Sequence, residues 1–158
     1  MTDDAGTVRV EKAHGYVTHG SRLLAFNHRD SAEAGVQVPA GTVRAGEAPG
    51  VAVLREVEEE TGLVDVVLVG RLATYDHRAD PLLVPAGHEN QRRHAFHIEA
   101  RGEVEESWVH WERGDGDVSP IAFEFSWLPI REAGTILAPF IGDQGAAVLR
   151  RLQERVGG

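Results

Sequence analysis

Residues Gly41 to Leu63 read GTVRAGEAPGVAVLREVEEETGL, and this stretch decides the fold. From Glu47 to Thr61 the pattern is helical, with Pro49 tolerated in the first turn and Gly62 standing where a left-handed C-terminal cap belongs. On a wheel with about 100° per residue, Glu59 and Glu60 fall within about 60° of Glu56, one on each side. Gly50, Val53, Leu54, Val57 and Thr61 form the opposite, mostly apolar stripe, which suits packing on a sheet. The acidic face is therefore expected to look outward, into a cleft or into water.

That face does nothing for the helix itself. Glu56 and Glu60 are a like-charge i,i+4 pair, and Glu58, Glu59 and Glu60 crowd a C-terminus whose dipole disfavours anions. Arg55 precedes Glu59 by four residues, the weaker orientation for a helical ion pair, so a positioning role for it is more economical. Departures from local rules tend to mark functional sites, and hard oxygen anions at this spacing are what Mg²⁺ or Mn²⁺ binds. Taken alone, EVEEE reads more readily as a solvated charged face, because Glu-rich helix surfaces are common. Its surroundings decide.

Upstream, Val8 to Val17, His19-Gly20-Ser21 and Arg22 to Phe26 read as a β-hairpin with a glycine-containing turn. Downstream, Val64 to Thr74 and Arg93 to Ala100 read as strands, separated by a surface loop with Pro81 and Pro85. Ala122 to Leu128 alternates Phe123, Phe125 and Trp127 against Glu124 and Ser126, the pattern of a strand with one buried face. Gly142 to Arg155 carries Ala146, Val148, Leu149 and Leu152 and is expected to form a closing helix. No repeat or linker interrupts residues 1–158, so a single domain is expected.

Composition narrows the chemistry. With 16 basic against 25 acidic side chains the formal charge is -9, a surface that repels nucleic-acid backbones and anionic lipid, so no DNA partner is expected. A polyanionic substrate would need cations from solution. The absence of cysteine excludes disulfides, thiolate nucleophiles and zinc-thiolate sites. The opening MTDDAGTVRV is acidic where a signal peptide needs a basic start, and no stretch approaches the ~20 apolar residues of a membrane span; a cytoplasmic, membrane-free protein is the expectation.

The quoted stretch resembles the Nudix box, G-x5-E-x7-R-E-U-x-E-E-x-G-U with U apolar aliphatic, at every fixed position: Gly41, Glu47, Arg55, Glu56, Val57, Glu59, Glu60, Gly62 and Leu63. Seven of these demand one residue type, so a chance match at a given start is below about one in ten million. The resemblance implies an α/β (α+β) fold, an αβα sandwich around a mixed β-sheet. It implies that Glu56, Glu59 and Glu60 hold one or more Mg²⁺ or Mn²⁺ ions, with the main-chain carbonyl of Ala40 as a further ligand. Arg55 would orient a metal-binding carboxylate, foremost Glu59, while Glu47 supports the loop-helix turn. Gly41 and Gly62 would be backbone positions. Val38-Pro39-Ala40 before the box resembles the branch containing ADP-ribose pyrophosphatases more than the branch that cleans nucleoside triphosphates.

The implied reaction is hydrolysis of a phosphoanhydride bond in a nucleoside diphosphate joined to another moiety, by in-line attack of a metal-activated water. Glu56, Arg55 and Glu59 would form its catalytic group, with Glu56 the candidate base within the box. Outside the box the candidate bases are Glu124 and the acidic residues from Glu112 to Asp117, each of which reads more readily as a solvated surface acid. Trp108 and Trp111 are candidates for stacking on a base, against the commoner role of core or interface aromatics. The scattered histidines lack helical ligand spacing and are taken as structural. A small pyrophosphate or nucleotide is the expected partner, with a two-fold homodimer as the oligomeric option. Two other classes share this fold. An isomerase is disfavoured by the missing cysteine, and a non-catalytic nucleotide sensor by the intact box.

Overall fold

The expected hairpin forms as β1 (Val10–His19) and β2 (Arg22–His28), with Gly20 at φ 64° in the turn. The computed structural model describes residues 9–30, 35–112 and 120–156. Within them β3 (Ala40–Thr42), α1 (Pro49–Thr61), β4 (Val66–Arg78), β5 (Asn90–Ala100), β6 (Ser107–Glu112), β7 (Ile121–Pro129) and α2 (Ile130–Val156) follow in order. The strands form one mixed seven-stranded sheet, ordered β4-β5-β1-β2-β7-β6 with β3 beside β1. β1 runs parallel to β5. Along its other edge it pairs antiparallel with β3, through Lys12↔Thr42, Ala13↔Gly41 and His14↔Ala40, and passes to β2 at Thr18 and His19.

Period-two alternation divides the apolar side chains between two cores. Ala13, Val17, Ile98, Phe123, Phe125 and Trp127 pack with Ala52, Val53 and Val57 of α1 on one face. Tyr16, Leu23, Tyr75 and Ala95 pack with Ile130, Leu137, Ile141 and Leu152 of α2 on the other. Helix, sheet and helix make the αβα sandwich, with one helix covering each face of a sheet whose strands are apolar on both sides.

Apart from shifts of one or two residues at strand ends and the short β3, the elements differ from the sequence expectation in four places. α1 starts at Pro49 rather than Glu47, because Glu47 is tied into the preceding turn: its N–H donates to the Arg44 carbonyl at 3.0 Å and its carboxylate accepts the Arg44 N–H at 3.0 Å. β4 and β5 run on towards each other, leaving the prolines in a shorter loop. Ser107–Glu112 is a strand the sequence reading did not assign. The closing helix starts twelve residues before Gly142, at Ile130, and contains a break at Gly142, where φ 67° and ψ -172° leave helical space. Pro139 and Gly142 hide that earlier segment from a propensity reading, although Ile130, Ala133, Leu137 and Ile141 keep helical spacing and are buried.

Candidate active site

α1 places Glu56 and Glu60 one turn apart on the same face, and neither reaches open solvent: their relative exposures are 8% and 5%. Of the three carboxylates expected on the outward face only Glu59 is exposed, because β3 and β6 close over Glu56 and Glu60. Glu112, the last residue of β6, completes the group. One carboxylate oxygen each from Glu56, Glu60 and Glu112 lies within 4.8 Å of the others. Three like charges held this close favour the proton. Burial, then Glu112 and Glu56, push Glu60 well above the usual carboxylate range, and a hydrogen bond from the Ala40 main chain opposes this only in part. A divalent cation does the same neutralising job without protonation. The donors are hard oxygens in a tight group, so the site fits Mg²⁺ or Mn²⁺.

Arg55 builds the wall of this site. Its Nε and Nη2 donate to the two oxygens of Glu47 at 2.9 and 2.8 Å, Nη2 also donates to the Thr42 carbonyl at 3.2 Å, and Nη1 donates to Glu56 at 2.6 Å. Glu59 is touched only at 3.5 Å. The guanidinium fork therefore joins the turn before α1, the edge of β3 and Glu56 into one unit, whereas Glu59, with a half-exposed side chain, stays at its margin. Arg55 and the Arg44 N–H lower Glu47 to about 2, so the clamp stays charged through the neutral and mildly acidic range. Arg55→Lys cannot reproduce the fork. It is expected to lower turnover and Mg²⁺ affinity about 10- to 100-fold by releasing Glu56, measured by steady-state kinetics and cation titration.

β6 holds the other wall by alternation. Trp108, His110 and Glu112 share the face towards α1. The Trp108 Nε1–H donates to the Thr61 carbonyl at 2.9 Å, and His110 Nε2 pairs with the Glu59 carbonyl at 3.0 Å. These bonds satisfy carbonyls that a helix C-terminus leaves open and bring Glu112 to the end of α1. Gly62, at φ 79°, caps the helix and lies against the His110 ring, where a Cβ would be tight.

The other residues singled out in the sequence fall as follows. Gly41 backs directly onto Glu56. Ala40 pairs with His14 and meets Glu60 through a backbone hydrogen bond. Trp108 is stacked on Phe125 with ring centroids 5.2 Å apart, so its face is spent on the core; Trp111 is 55% exposed on the opposite side of β6. Glu124 alternates with Phe123 and Phe125, which face α1, so it projects from the other side of the sheet, where it pairs with Arg29 at 3.5 Å. The structure does not bring it to the carboxylate group. Asp115 and Asp117 lie outside the described residues. Glu112 was named only among several loop acids; reading Ser107–Glu112 as an alternating, aromatic-rich strand would have put it on the Trp108 face. A surface cleft lined by Thr18, Gly20, Val69, His97, Glu99, Arg155 and Val156 lies at the other end of β1 and shares no residue with this site.

The NUDIX domain family model matches residues 10–152. No curated protein matches the sequence significantly. Among solved structures, a NUDIX hydrolase from Nitrosomonas europaea superposes with a TM-score of 0.64 at 16% identity, covering 94% of this chain and 90% of that one. The C. elegans Ap4A hydrolase gives 0.63 at 15% identity, covering 94% and 99%. A UDP-X diphosphatase gives 0.60 at 14% identity, covering 94% of this chain, which spans only 64% of that protein. At such identities the likeness is one of fold.

Proposed function

Because the chain belongs to the Nudix hydrolase family, a family of pyrophosphohydrolases, we propose that it hydrolyses the phosphoanhydride bond of a nucleoside diphosphate linked to a second moiety, with Mg²⁺ or Mn²⁺ as cofactor. The observation that carries this reading is the convergence of Glu56, Glu60 and Glu112 within 4.8 Å at the Arg55 clamp. These three carboxylates would hold the cation. When bound, it supplies charge neutralisation for the diphosphate and makes water easier to deprotonate.

The chain's own residues do the rest. Arg55 holds Glu56 in place, and the Ala40 main chain steadies Glu60. Glu59 stands outside the three-carboxylate group with its side chain 48% exposed, and it is only loosely engaged by Arg55. It is the carboxylate with freedom to accept the proton as the water oxygen bonds to phosphorus and the bridging P–O bond breaks in line. Two roles here differ from the sequence expectation, which has Glu59 as a ligand oriented by Arg55 and Glu56 as the base within the box.

The test is an assay of purified protein with Mg²⁺ and with Mn²⁺ against nucleoside triphosphates, ADP-ribose, diphosphate sugars, dinucleoside polyphosphates, NADH, coenzyme A and capped RNA. Product release should single out one group. Silence across the panel would favour the non-catalytic sensor.

Linkage adds a check that needs no substrate. Glu60 has a folded pKa above its unfolded value, so its contribution to stability is full below about pH 4.5 and fades as pH rises through the folded pKa. His14, lowered well below 6.5 chiefly by burial, acts in the opposite sense: its contribution is present above its unfolded pKa and fades as pH falls. A cation replaces the Glu60 proton, so the gain in Tm on adding Mg²⁺ should grow as pH rises from the ordinary carboxylate range through the folded pKa. At a hundredfold excess over Kd it should reach roughly 5–10 °C. A gain independent of pH, read by thermal melts, would remove Glu60 from the ligand set.

A further inference from the structure

Lys12 is the only lysine in the chain; the other 15 basic residues are arginine. It lies in β1 opposite Thr42, in the register that sets Ala13 against Gly41 and His14 against Ala40, so it adjoins the strand that backs the carboxylate group. Its Nζ donates to Thr42 Oγ1 at 2.7 Å and meets His88 Nδ1 at 3.2 Å, both neutral acceptors when the His88 proton is on Nε2. Burial lowers its pKa, and Glu56 and Glu60, which oppose that, are close enough to favour the charged form although neither forms an ion pair with it. Arg93, 4% exposed, adds a second positive charge nearby, and its recorded partners are the Gln91 side chain at 3.0 Å and the Phe140 carbonyl at 2.9 Å. Two partly or fully buried cations with neutral partners are costly in any fold and stand out in a chain of charge -9. An incoming anion would remove that cost.

We infer that Lys12 is a phosphate-binding residue, gripping a non-bridging oxygen of the diphosphate laid across the carboxylate group, with His88 and the β4–β5 loop held beside it and Arg93 contributing field without contact. The inference rests on the proposed hydrolase reading and deepens it: one phosphate is neutralised at the carboxylate centre and its neighbour at Lys12. An ammonium suits this role because it is a compact point charge with three rotatable donors, one of which remains for a ligand after Thr42 and His88 are served.

The probe is methylenediphosphonate, which carries the diphosphate charge and cannot be hydrolysed, titrated calorimetrically into wild type, Lys12→Met and Lys12→Arg with saturating Mg²⁺. Lys12→Met should bind it about 10- to 100-fold more weakly and raise KM more than it lowers kcat, while its thermal shift with Mg²⁺ alone stays at or above the wild-type value; Lys12→Arg should recover much of the binding. Acylation of the single lysine, read by mass spectrometry, should be slowed in wild type by Mg²⁺ with the probe and not by Mg²⁺ alone. If Lys12→Met binds the probe as wild type does, or loses the Mg²⁺ shift in proportion, Lys12 is only a brace for β3 and the inference falls while the hydrolase reading stands. If wild type neither binds the probe nor cleaves any substrate of the panel, both fall together.

Discussion

Glu60→Gln is expected to leave the fold intact and to reduce turnover on the order of 10³-fold or more, with Mg²⁺ affinity falling alongside. The amide keeps the size and one carbonyl oxygen of the original side chain, so the Ala40 contact and the packing beneath β3 and β6 survive. It lacks the charge on which the proposed cation site depends. Because the wild-type carboxylate is buried among Glu56 and Glu112, the uncharged variant should melt at the same temperature as metal-free wild type or slightly above it at pH 8, and its melt should no longer respond to pH through this group. Glu59→Gln provides the contrast. With Glu59 outside the three-carboxylate group and proposed as the proton acceptor, this variant should lose kcat and keep the Mg²⁺-induced shift in Tm. Hydrolysis by Glu60→Gln at the wild-type rate would sink the metal assignment.

Gly41→Ala, a single added methyl group, should be nearly as damaging to activity. A Cβ at position 41 would lie on top of the Glu56 side chain, overlapping its Cδ and Oε1. Neither neighbour gives freely. Gly41 is fixed in the β1–β3 ladder opposite Ala13, and Glu56 is held by Arg55 at 2.6 Å. The carboxylate is the softer of the two, so the expected response is that it swings out of the cluster. Activity should fall at least 100-fold, whereas stability should fall by only about 1–3 kcal/mol, the usual cost of overpacking. Denaturant melts and Mg²⁺ titrations measure the two effects separately. A variant with unchanged turnover would mean that Glu56 is not required where it stands.

Much of this molecule was legible before any coordinates. The α1 stripe, the Gly62 cap and the alternation of Phe123, Phe125 and Trp127 are local patterns with periods of 3.6 and 2, and each formed as expected. The first half of α2 was hidden by Pro139 and Gly142, whose poor helix propensity is overridden once Ile130, Ala133, Leu137 and Ile141 can be buried on the sheet. β6 was passed over because a six-residue edge strand carries a weak signal, and with it went the placement of Glu112.

By itself the sequence determined the family, the fold class, and which helix gathers the acidic residues of the candidate site, because residue spacing along one helix fixes which side chains share a face. The tertiary structure alone decided which acids meet. Glu112 joins Glu56 and Glu60 across more than fifty residues of chain, Glu59 is left at the margin, Glu124 is turned to the other face, and Lys12 is set beside the centre by a strand pairing thirty residues long in sequence. The placements of Glu112, Glu124 and Lys12 come from strand register and from which face of the sheet each residue takes, and one residue of slip would reverse them.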